Sequence, residues 1–151
     1  MKNTVIILVL IITSSLAALE KTRVSIFYKE KPPSQQVLVR VDSILAEYTE
    51  ACQVNYFNIE DPASAVEIKK LGLPQTHFPF AIAVNDKFTA EISGKTVSFV
   101  HFPLFMHGIG RHEGNWSLPD LQMVLEDNTL LSQDNILPVL DAENETSECE
   151  E

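Results

Sequence analysis

Cysteine is scarce in this chain: Cys52 and Cys149 are the only two, and they stand far apart in the sequence. No close cysteine pair exists, which excludes dithiol exchange, since that chemistry needs an attacking thiolate and a resolving thiol within reach. Basic residues are also few, 11 Lys and Arg against 21 Asp and Glu, for a net charge of -10. That balance excludes nucleic acid and anionic lipid as partners, because holding phosphates requires clustered Lys and Arg. The familiar catalytic signatures are missing too: there is no Gly-x-Ser-x-Gly, no His-Glu-x-x-His and no phosphate-binding glycine loop. No internal repeat is present.

What the chain does have begins at its start. Residues 1–19 carry one early charge, Lys2, then an unbroken apolar run over 5–12, then the small residues Ser14, Ser15, Ala17 and Ala18. Charge, apolar stretch and small residues in that order make a secretory signal peptide. The run falls short of the roughly 20 residues that span a bilayer, although an uncleaved anchor is the alternative. The expected location is periplasmic or secreted, with no membrane association once the signal is cleaved. Residues 20–140 suffice for one domain. Residues 141–151 hold six acids and no base, have almost nothing apolar to bury, and are expected to be a disordered tail.

The two cysteines fit different surroundings. Cys52 continues the stripe Val37, Val41, Ile44, Leu45, Tyr48, whose spacing puts all on one helical face, and so reads as a small buried hydrophobe. Cys149 lies between Glu148 and Glu150, whose charges raise a thiol pKa and lower its thiolate fraction. Whether the two pair is open; an exported protein allows it, as it allows a link between chains.

Residues 23–29 are rich in β-branched and aromatic types and predict a strand, stopped by Pro32 and Pro33. Ser34 can cap a helix over 35–52. A second strand follows over 54–59, then Asp61-Pro62 as a helix start, a helix over 63–71 and a stop at Gly72. The apolar run 80–84 predicts a central strand, and tight turns at 85–87 and 93–94 lead into strands over 88–92 and 97–102. Ser117 and Asp120 form a capping box for a last helix whose face is Leu118, Leu121, Val124 and Leu125. A βαβ unit, an antiparallel meander and a C-terminal helix make an α/β sandwich with a mixed sheet.

This order, together with Thr76-His77-Phe78-Pro79 directly before the strand at 80–84, resembles the thioredoxin-like superfamily over roughly residues 23–127. The resemblance implies a cis peptide before Pro79 and a proline loop beside the turn that would carry the redox cysteines. That turn, 28–35, reads Tyr-Lys-Glu-Lys-Pro-Pro-Ser-Gln here and has none. It further implies His77, Phe78 and Pro79 as a peptide-facing surface, because the family's loop offers backbone hydrogen bonds to an extended chain.

Residues 99–116 are the other unusual stretch, combining His101, His107 and His112 with Arg111, Glu113, aromatics and glycines. Neutral imidazoles with a carboxylate could hold zinc or copper, although His107 and His112 are not at a known ligand spacing, and no other cofactor is indicated. His107 or His112 could equally serve as a general base beside Glu113 or Arg111. The structural alternative is that Phe102, Leu104, Phe105, Met106 and Trp116 plug the open end of the sheet. Phe105, Met106, Arg111 and Trp116 are residue types enriched at interfaces. The leading expectation is an exported, redox-inactive module that binds a protein or peptide through the Pro79 loop and this one. A metal-binding protein and a redox protein acting through an intermolecular disulfide are the alternatives. Asn115-Trp116-Ser117 and Asn144-Glu145-Thr146 match the glycosylation pattern, which matters only in a eukaryotic host.

Overall fold

A computed structural model describes residues 20–74, 78–106 and 113–138; the expected signal peptide and the whole of the expected acidic tail lie outside them. The described residues are mixed α/β, with a three-stranded mixed sheet, a two-stranded sheet and three α-helices. Strand β1 (Thr22–Tyr28) is central in the first sheet, parallel to β2 (Cys52–Asn58) and antiparallel to β3 (Phe80–Val84). Helix α1 (Pro32–Leu45) joins β1 to β2, and α2 (Ala65–Leu71) lies between β2 and β3. β4 (Thr89–Ile92) and β5 (Lys95–Ser98) form a hairpin, and α3 (Leu118–Glu126) follows.

Side-chain alternation splits the core into two layers, because successive residues of a strand point to opposite faces. Val24, Ile26, Phe80, Ile82 and Val84 pack with Val37, Val41 and Ile44 of α1 and Leu121, Val124 and Leu125 of α3. Phe27, Ala81 and Ala83 face the other way, against Ile68 and Leu71 of α2. β3 is buried along its whole length, as its unbroken apolar run requires.

The outer edge of β3 is filled in two pieces. Lys87 bonds Val84 across a tight turn in which Asn85 and Asp86 both take positive φ, 49° and 64°. Further along, Ile82 N–H donates to Phe99 O and His101 N–H to Phe80 O, both at 2.9 Å. The β4–β5 hairpin is therefore an excursion between two stretches that line one edge. Residues 131–136 hold its outer side: Ser132 N–H reaches Thr89 O at 2.9 Å, and Thr89 Oγ1 accepts from Ile136 N–H at 2.8 Å.

Several element ends differ from expectation. The first helix stops at Leu45 and tightens into a 3-10 turn at Ala46–Tyr48, so Cys52 opens β2 instead of ending the helix. It stays buried because β2 begins at the level of Thr22. The helix also begins earlier, with Pro32 and Pro33 in its first turn, where a missing N–H is no loss. Lys31 occupies the cap position without a side-chain bond, and Ser34 is freed for another use. The last strand ends at Ser98 instead of 102, the chain crossing there to β3. The Asp61 cap, the Gly72 stop (φ 73°) and the Ser117–Asp120 capping box form as expected.

Candidate functional site

The turn between β1 and α1 lies against the proline loop. Lys29 N–H donates to Ser34 Oγ at 2.9 Å, and the Ser34 hydroxyl donates to Pro79 O at 3.0 Å. Ser34 is buried, as are Phe78 and Pro79. The Phe78 ring sits in the layer beneath α2. No peptide bond among the described residues is cis, Phe78–Pro79 included, so the expected cis proline is trans here. Phe78 and Pro79 themselves have only main-chain groups left to meet a partner, since both side chains are interior.

Trp116 ties the next segment to the same place. Its ring is fully buried, stacked on Phe80 at 6.3 Å and edge-on to Phe99 at 5.7 Å, and its Nε1–H donates to His101 O at 3.1 Å. Leu104 N–H returns a bond to Trp116 O at 2.8 Å, and Gly114 N–H one to Phe102 O at 2.7 Å. Residues 101–106 are thus clamped by 113–116. Asn115 completes the clamp, accepting from Ser98 N–H at 2.9 Å and donating to Thr96 O at 3.0 Å, so both ends of that amide are engaged structurally. Phe102, Trp116 and the 9 % exposed Met106 belong to the core, whereas Leu104 and Phe105, expected in the same plug, are exposed.

Clamping residues 101–106 leaves Phe105 outside, against α1. Its ring lies beneath the Arg40 guanidinium, 4.6 Å from carbon to centroid, a cation–π arrangement. Gln36, Val39, Arg40, Phe105 and Met106 line a shallow groove of about 440 Å³. Val39, Leu104 and Phe105 are 66 %, 42 % and 38 % exposed, an apolar strip on a strongly acidic protein. Among the described residues no carboxylate forms an ion pair with Arg40.

His101 is buried with a positive φ of 69°. Among the described residues no three of His, Cys, Asp and Glu come together. His77, His107, Arg111 and His112 lie outside the described residues, so of the three histidines weighed for zinc or copper only His101 has a described position. Burial pushes the Cys52 thiol up, against a weaker opposite pull from Lys21; Cys149 lies outside the described residues. No described helix is long and apolar enough to cross a membrane.

Ser34, Val39 and Arg40 were not legible as site residues. Val39 offered the one signal: an apolar residue off the stripe Val37, Val41, Ile44, Leu45, hence facing water. Comparison with protein-family models, curated proteins and solved structures finds no match to this chain.

Proposed function

We propose that this chain is an exported thioredoxin-like module without redox chemistry, which binds an extended protein or peptide segment in the groove between α1 and residues 104–106. Its layout supports the family reading: β2, β1 and β3 in that order, the 99–101 segment beyond β3, α1 and α3 on one face and α2 on the other. The trans Phe78–Pro79 bond departs from that family's pattern.

The observation that carries the reading is the Ser34 bridge. Where the family would present a thiol, a buried hydroxyl is engaged on both sides by Lys29 and Pro79, and it offers no nucleophile. Beside it lies an exposed apolar strip with a guanidinium free of carboxylates among the described residues. Apolar anchors for side chains plus a cation suit a segment carrying one carboxylate among apolar residues.

The test is fluorescence anisotropy with labelled extended peptides of that composition, against matched peptides with the carboxylate amidated. Arg40→Glu and Phe105→Ser should each weaken binding by about tenfold or more, as loss of an anchor does. Wild-type affinity in both variants, with unchanged circular dichroism, would remove the groove from consideration.

A further inference from the structure

β2 is an edge strand: among the described residues it pairs with β1 on one side and with nothing on the other. The ladder to β1 fixes which groups remain. Thr22 N–H donates to Ala51 O and Ile59 N–H to Tyr28 O, both at 2.9 Å. In this parallel register the odd-numbered residues of β2 therefore turn N–H and C=O toward β1, and the even-numbered ones turn theirs outward. Asn58 spends its carbonyl on Asp61 N–H. Cys52, Val54 and Tyr56 each keep an outward donor and acceptor.

Natural edges are guarded by lysine, proline or a bulge. β2 reads Cys-Gln-Val-Asn-Tyr-Phe-Asn, with no charge and no proline, and its register with β1 is unbroken over all seven residues.

We propose that this edge pairs antiparallel with β2 of a second copy of the chain, about a two-fold axis through Val54, joining the two three-stranded sheets into one. Self-complementarity selects the occupant. The three residues with both groups free are centred on Val54, so setting Val54 opposite its own copy also sets Cys52 opposite Tyr56 and satisfies every outward group of these three with about six hydrogen bonds. Gln53 then faces Asn55, amide to amide, and Glu50 faces the uncharged Asn58. A register centred on Asn55 instead opposes Glu50 to Glu60 and asks the occupied Asn58 carbonyl for another bond. Tyr56, half exposed and bonded to Asp42 of α1, gains cover at the seam. Each copy carries a charge of -10, with Asp42, Glu50 and Glu60 near the strand, so salt strengthens the association by screening.

Sedimentation equilibrium of the purified protein over the micromolar range, at low and high salt, tests this. The wild type should show a monomer–dimer equilibrium shifted toward dimer by salt. Val54→Pro removes an outward N–H while sparing the ladder to β1, and Val54→Lys sets two like charges together on the axis; each also gives up the partial packing of Val54 on the core, and both should stay monomeric with native circular dichroism. Hydrogen exchange on the wild type reads the same edge without substitution: the amides of Cys52, Val54 and Tyr56 should gain protection as concentration rises. A wild type that stays monomeric in high salt overturns the proposal, as does a dimer that survives both substitutions. Protection of those amides at every concentration also overturns it, because the edge is then covered within one chain.

Discussion

The hydroxyl of Ser34 donates to the carbonyl oxygen of Pro79 at 3.0 Å and accepts from Lys29 N–H at 2.9 Å. One buried side chain thus fastens the start of α1 to the end of β1 and to the loop entering β3. Ser34→Ala removes both bonds and leaves a buried carbonyl and an amide without those partners, a loss of about 1–3 kcal/mol. Urea unfolding should show a lower midpoint at unchanged slope. An unchanged midpoint would mean that the junction is held by packing alone.

Gly114 fits because it has no side chain. A Cβ there would stand 2.5 Å from Val100 O and 2.9 Å from Phe102 O, with Trp116 Cδ1 at 3.0 Å. Two of the three are backbone atoms, and Phe102 O accepts the Gly114 N–H itself, so none can yield cheaply. Gly114→Ala should cost about 2 kcal/mol or more, in the upper range for overpacking. Trp116 is the only tryptophan, and its emission should shift to the red in the folded variant as the clamp opens. Wild-type stability and emission together would show that the segment re-forms around the methyl.

The sequence carried the elements better than their meeting places. Local chemistry announces itself: Asp61-Pro62, Gly72, Ser117 with Asp120, and the run 80–84 each state their structure through a cap, a positive φ or an unbroken apolar stretch, and each formed as read. The stripe ending in Cys52 misled because its spacing suits a helix, while Cys52 is in fact buried as the first residue of a strand paired at Thr22. Ser34 misled for a related reason. Its place after two prolines suits a cap, but the bond that fixes its role reaches Pro79, a partner that no local pattern encodes. Phe78 reads as peptide-facing from the resemblance and Trp116 as an interface residue by type, yet both are interior, since the same large rings serve cores and surfaces alike. The exposed strip at Val39 and Phe105 arises only when α1 and residues 104–106 come together.

Tyr56 makes the protein sensitive to alkali. Burial, then its hydrogen bond to the Asp42 carboxylate, pushes its phenol up to about 12 from 10.0. The folded chain therefore holds that proton where the unfolded chain has released it, and stability is full below about pH 10 and falls as pH rises toward 12. Tyr48 adds to the same decline, raised by burial and by its bond to Glu126. Tyr56→Phe should flatten part of the fall in unfolding midpoint between those limits, and Tyr48→Phe a further part. A wild-type decline left equally steep in both variants would assign it to other groups.

Cys52 tests how far thiol chemistry is closed to this fold. It is 6 % exposed among α1 and β-strand side chains, and burial raises its pKa, so both access and thiolate fraction oppose reaction. In the Cys149→Ser protein it is the sole thiol. Its labelling by a disulfide reagent should then proceed only through opening of the structure, with a rate that tracks the opening free energy and rises steeply with urea. Native labelling is expected to be at least about a thousandfold slower than in the unfolded chain, given that opening core elements costs several kcal/mol. Rapid stoichiometric labelling under native conditions would mean that the β2 end of the core opens readily, and exchange through Cys52 across a pair of chains would again compete with binding as the protein's activity.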